Sequence, residues 1–193
     1  MAEASFAHAA ETLRQNDRDR YLSTLVLTGD HRNAVTALYA FNADVAAIRE
    51  RVSDPAPGEI RLQWWSDALE GEEHGAVRRN PVADALLDTI ARYNIPAGTL
   101  LRLLGARRFD LYDDPMPDLE TFEGYAGETV STLYQLAAMI LNAGETVETG
   151  DAAVAGAIDL AQADQLLAID DAAADIAAGN VVLDVVRALM DVD

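Results

Sequence analysis

The sequence predicts an all-α fold, an antiparallel bundle of roughly six to eight helices, and three observations carry the prediction. Apolar residues recur with helical period along almost the whole chain. No segment alternates as a half-buried strand would, and proline, glycine and asparagine cluster where one helix would stop and the next begin. The 193 residues suffice for one domain with a substantial core, and 50% of them are apolar, which excludes a disordered chain.

Residues 1–16 stand as an N-terminal extension. A first helix is expected over about residues 17–27, stopped at Thr28-Gly29 with the glycine as C-cap. Asp30 is the expected N-cap of a second helix from His31 to about Val52, with Val35, Leu38, Tyr39, Val45 and Ile48 on its apolar side. Ser53-Asp54-Pro55-Ala56-Pro57-Gly58 ends it, because proline lacks a donor and disfavours helix before it. A third helix spans residues 59–70 and carries Trp64 and Trp65, one ring expected in the core and the other at its boundary. A polar loop follows to Asn80. Pro81, at a first-turn position, opens a fourth helix to about Tyr93, where Ile95-Pro96 breaks the pattern. A fifth is expected over about residues 97–111, and a sixth over about 119–141 with glycine interruptions at Gly124 and Gly127.

The main helical domain is thus read as residues 17–142. Residues 143–193 differ in character: they hold 11 acidic residues, the single arginine Arg187 and no aromatic, against 22 acidic and 13 basic residues before them. Alanine, leucine and valine still favour helix there, over about 151–178 and again from Val181. The plainer reading is an acidic, alanine-rich tail that continues the bundle and is more mobile and more easily cut than residues 17–142. The alternative is a gene truncated or shifted out of frame.

Charge narrows the function. The formal net charge is −19, and all 14 basic residues are arginine. Such a surface repels nucleic acid and anionic lipid. The chain has no cysteine, so disulfides, thiolate nucleophiles and Cys-ligated zinc are excluded. His8, His31 and His74 share no ligand-like spacing. The N-terminal residues lack a signal-type apolar stretch, and no apolar run approaches the ~18 residues of a spanning helix, so a cytoplasmic protein, at most peripheral to a membrane, is expected.

No serine sits in a G-x-S-x-G elbow, and no phosphate-binding glycine loop or dinucleotide fingerprint is present. Carboxylates remain. Mg²⁺ takes hard oxygen ligands and usually bridges to substrate phosphates, so two carboxylates one helical turn apart can grip a diphosphate. Asp84/Asp88, Asp110/Asp114 and Asp171/Asp175 have that spacing, although in so acidic a chain most such pairs are solvated faces.

Residues 20–69 carry a family resemblance. Gly29-Asp30-His31-Arg32-Asn33-Ala34-Val35 and Leu38-Tyr39-Ala40-Phe41, then Arg108-Phe109-Asp110-Leu111 and Tyr125-Ala126-Gly127, resemble blocks of the squalene/phytoene synthases. These are all-helical prenyltransferases that join two prenyl diphosphates head to head with Mg²⁺. The resemblance covers roughly residues 17–142 and implies an isoprenoid synthase bundle, incomplete here at its C-terminus. It implies substrate contacts from Ser23, Arg32 and Tyr39, and metal ligands at the two aspartate motifs. Counted from Tyr39, the first motif falls on Ala46 and Glu50, so one carboxylate is lost; Asp44 lies about 200° around the helix and cannot replace it. Asp171 and Asp175 have the spacing of the second motif, with Asp170 where an arginine is usual. Ser53 with Arg61-x-Gln63-x-Trp65 resembles a branch that includes mitochondrial complex I assembly factors, which have also lost the first motif.

Three readings follow. The first is a catalytically degenerate synthase-like protein, an assembly or prenyl-lipid-binding factor with a respiratory-chain partner and without tightly bound Mg²⁺. The second is an active prenyltransferase using Glu50, Asp171 and Asp175 on metal, and the third is a truncated remnant.

Overall fold

The computed structural model describes residues 2–71, 76–112 and 114–146, among which the elements are α-helices, short 3₁₀ turns and one π turn, with no strand. The tail helices expected beyond residue 150, with Asp171 and Asp175, lie outside the described residues. Met1–Asp114 and Leu136–Val147 form one compact unit, and Pro115–Gln135 belong to a second. Among the described residues, the two units meet in the chain near residues 114 and 135.

The N-terminal residues are not an extension. They form α1 (Ala2–Asn16), which packs on α3 (Gly29–Ala46) and α5 (Pro81–Tyr93). Its inward face is Ser5, Ala9 and Leu13, one turn apart, with Ala9 and Leu13 fully buried. Only Leu13 on that face is large and apolar, which is why the face is faint in the sequence.

α2 (Arg18–Thr24) starts where Asp17 accepts a hydrogen bond from the Arg20 backbone N–H at 3.0 Å. It stops at Thr24, short of the expected Leu27. Gly29 has φ +58° but opens α3 and does not cap α2. Asp30 is not the α3 cap either; Thr28 holds that position without a side-chain bond, and Asp30 instead pairs with Arg92 of α5.

α3 stops at Ala46, not Val52, and tightens into a 3₁₀ turn over Arg49–Arg51, a common ending for an α-helix. α4 (Pro55–Glu70) begins four residues earlier than expected, since Pro55 occupies its first turn, where a missing N–H costs nothing. Gly71 closes α4 at φ +79°. α5 matches expectation: Asn80 accepts from the backbone N–H of Val82 (2.9 Å) and Ala83 (3.2 Å), and Asn94 ends it at φ 51°. α6 (Ala97–Arg107) runs into a 3₁₀ turn, Arg108–Leu111.

α1, α3 and α5 pack on one another, α4 packs on α6, and α3 touches α6. Phe41 of α3 meets Trp65 of α4 edge-on at 5.0 Å, and Trp64 stacks its edge on Trp65 at the same distance. Trp65 is buried and Trp64 half-buried, as the sequence predicts.

In the second unit, Asp118 caps α7 (Leu119–Ala126) by accepting from the Thr121 N–H at 2.8 Å. The expected glycine interruption is a π turn over Gly127–Ser131, where the Thr129 hydroxyl donates to Tyr125 O at 2.6 Å. α8 (Thr132–Leu141) follows, and its residues from Leu136 belong to the first unit.

If α1 is integral, Leu13→Ala should destabilise the protein by about 2–5 kcal/mol, the usual loss for a buried leucine. Urea unfolding measures this; a change within about 0.5 kcal/mol would return α1 to the status of an extension.

Candidate functional site

Arg32, Tyr39 and Ala46 are seven residues apart, so they form one stripe along α3, each about 10 Å from the next. Tyr39 is buried, and the Arg20 guanidinium of α2 lies 6.0 Å from its ring centroid. Arg20 is held by Asp17 at 2.7 Å. Ser23 is exposed, and its hydroxyl donates to Arg20 O at 2.8 Å, so its hydrogen bond stays on its own helix. Arg32 is half-buried at the other end of the stripe. Arg20 thus joins the Ser23 and Tyr39 positions, while Arg32 stands about two turns away.

The metal end of the stripe is altered in geometry as well as in residue type. Ala46 is the last residue of α3, and Glu50 is exposed in the 3₁₀ turn beyond it. The two positions no longer share one α-helical face, so even an acidic residue at 46 would not repeat the one-turn pairing of a carboxylate clamp. Asp44, two residues earlier, is engaged by the Arg51 guanidinium at 2.7 Å. No group of three or more carboxylate or histidine side chains able to hold a metal occurs among the described residues. This half of the site does not fit Mg²⁺.

The other spaced pairs are also occupied or broken. Arg78 donates to both Asp84 (2.6 Å) and Asp88 (2.8 Å), filling the gap where a cation would sit. The Ser5 hydroxyl of α1 completes the Asp84 shell at 2.7 Å. Burial raises the Asp84 carboxyl pKa, but the hydrogen bonds from Ser5 and Arg78 outweigh it and leave that pKa below its ordinary value. Asp110 pairs with Arg107 at 3.1 Å in a 3₁₀ turn, and Asp114 follows in irregular backbone, so no helix face unites them. Arg107 also reaches the buried Asn42 of α3 at 3.4 Å.

A cleft of about 180 Å³ lies on the opposite side of α3, lined by Asp44, Ile48, Arg51, Arg61, Trp64, Trp65 and Asn80. Sequence reasoning missed it: α3 ends at Ala46, so helical spacing does not bring Arg51 to Asp44, and the available signal was Arg61 one turn before Trp65 on α4. A second cleft of about 160 Å³ lies among α1, α3 and α5, beside the Asp30–Arg92 pair.

This bundle, with its stripe on α3, is that of an all-helical isoprenoid synthase. The chain belongs to the squalene/phytoene synthase family, whose profile matches residues 13–183. Among curated proteins it is similar to NADH dehydrogenase (ubiquinone) complex I, assembly factor 6 of Homo sapiens, 31% identical over 134 residues, covering 69% of this chain and 40% of that protein. The Bos taurus protein of the same name is 30% identical over 140 residues, 72% of this chain and 42% of its own length. That of Rattus norvegicus is 31% identical over 137 residues, 71% and 41% respectively. The chain therefore spans about two fifths of the length of these relatives.

The Asp84 network has a defined pH signature. A depressed folded pKa stabilises fully above the unfolded value of about 4, and that stabilisation fades as pH falls through the folded value. The gap in unfolding midpoint between wild type and Asp84→Asn should be wide at pH 6 and shrink in strong acid. Urea titrations at the two pH values measure it, and a gap that widens on acidification would contradict the assignment.

Proposed function

We propose that this chain is a catalytically degenerate synthase-like protein that acts as an assembly or prenyl-lipid-binding factor, with a respiratory-chain protein as its partner. The observation that carries the reading is the end of α3: Ala46 in place of a carboxylate, Asp44 tied to Arg51, and Glu50 exposed beyond the helix. The names of the relatives, all complex I assembly factors, support the same direction. The described helices include none long and apolar enough to cross a membrane. The reading places the protein in the cytoplasm, peripheral to the membrane that holds its partner, with Mg²⁺ not tightly held and no nucleic acid bound.

A head-to-head synthase must ionise a diphosphate with metal and shield the carbocation from water. Labelled farnesyl diphosphate incubated with the protein and Mg²⁺ should therefore yield no hexane-extractable C30 product. Ala46→Asp alone should not restore it, because position 50 stays off the helix. Labelled product that disappears in Glu50→Ala would instead establish an active prenyltransferase.

The assembly role has its own readout. Deleting the gene in the source organism should lower NADH:ubiquinone oxidoreductase activity and assembled complex I, and the wild-type gene should restore both. Unchanged complex I in the deletion strain would remove the respiratory partner from the reading.

A further inference from the structure

The motif Arg61-x-Gln63-x-Trp65 is explained by the fold at two of its three positions. Trp65 is buried against Phe41. Gln63 donates to Asp67 at 2.7 Å and accepts from Arg108 at 3.3 Å. Arg61 is exposed on the wall of the 180 Å³ cleft and makes no ion pair among the described residues. Seven described arginines pair with carboxylates, whereas Arg61 brings to this cleft a positive charge that no described carboxylate neutralises.

Its surroundings define what it could hold. Arg51 stands on the same cleft with its charge balanced by Asp44, so the three side chains sum to one positive charge. Trp64 forms an apolar wall, and Ile60, 71% exposed, lies one turn earlier on the same face of α4. A half-buried tryptophan beside an exposed arginine is the residue pairing enriched at protein-binding hot spots, and the exposed Ile60 extends the apolar surface. At about 180 Å³ the cleft is well under the roughly 300–1,000 Å³ of small-molecule pockets and fits a single side chain, not a prenyl chain. One net positive charge suits a monoanionic carboxylate held by the planar fork of Arg61. A phosphate dianion would sit beside Asp44, and an anionic membrane would meet the chain's overall negative field.

We infer that the cleft formed by Arg61, Arg51 and Trp64 is a recognition pocket for an aspartate or glutamate side chain of a partner protein. An apolar residue next to that carboxylate would lie on Ile60 and Trp64. The inference rests on the assembly-factor reading and names the chemistry of its partner.

Both tryptophans of the chain stand at this cleft, so intrinsic fluorescence reports on it. The probes are the peptides acetyl-Leu-Glu-Leu-amide and acetyl-Leu-Gln-Leu-amide. The glutamate peptide should give a saturable fluorescence change, and the glutamine peptide should bind at least about tenfold more weakly. Arg61→Gln should weaken the glutamate peptide by a similar factor, while Arg102→Gln, a loss of the same charge on α6, should not. Arg61 is exposed, and an unchanged circular dichroism spectrum for Arg61→Gln confirms that folding is intact. Equal affinity for the two peptides, or full binding by Arg61→Gln, would overturn the inference. So would tighter binding of inorganic phosphate or of phosphatidylglycerol vesicles, which would assign the cleft to those anions. A failed peptide test beside a blank condensation assay would remove this pocket and leave the assembly-factor reading standing.

Discussion

Ten successive residues of α3, from Ala34 to Ala43, are buried, and the arrangement of the first unit depends on that burial. A helix buried all round must be approached from several sides. Here α1, α5, α2 and α6 all touch it, and Ala34, Ala37, Ala40 and Ala43 recur every three residues to let neighbours come close. Phe41 supplies the large volume that locks α3 to Trp65 of α4. Two of the polar side chains carried inside are matched: Asn42 accepts from Arg107, and the Asp84 carboxylate is held by Ser5 and Arg78.

That constraint also separates two faces of α3 with different chemistry. The stripe of Arg32, Tyr39 and Ala46, where the sequence resemblance implies substrate and metal contacts, has a cation at one end and no carboxylate at the other. Asp44, on the other side, is joined to Arg51 by an ion pair at the cleft by Trp64. Arginine does the pairing throughout, as expected where no lysine is present. Arg51, Arg78, Arg92, Arg107 and Arg108 each bind a carboxylate, and the planar guanidinium lets Arg78 bridge two of them. Arg61, on the cleft beside Trp64, makes no such pair among the described residues.

Elements with chemical punctuation were legible from residues alone. α5 lies where Pro81 opens it and Ile95-Pro96 break the pattern, and the glycines near 127 mark a real irregularity, the π turn. α1 was not legible, because Ser5 and Ala9 present too little apolar surface to reveal a buried face. The end of α3 was not legible either. No proline or glycine stands at Ala46; the 3₁₀ turn forms where Arg51 folds back onto Asp44, a contact that residue patterns do not show. Of the candidate site, the alanine at the position where the resemblance implies a carboxylate was readable by counting from Tyr39 to Ala46. The exposure of Glu50, the occupation of Asp84 and Asp88 by Arg78, and the cleft at Arg61 required coordinates.

An α3 end with Ala46, an Arg51-bound Asp44 and an exposed Glu50 should not hold a metal–diphosphate pair. Isothermal titration of Mg²⁺ into the protein with an unreactive thiodiphosphate analogue of farnesyl diphosphate tests it most directly. No saturable heat attributable to Mg²⁺ in the millimolar range is expected, and the same trace for Glu50→Ala. Saturable, analogue-dependent Mg²⁺ binding that Glu50→Ala abolishes would contradict it.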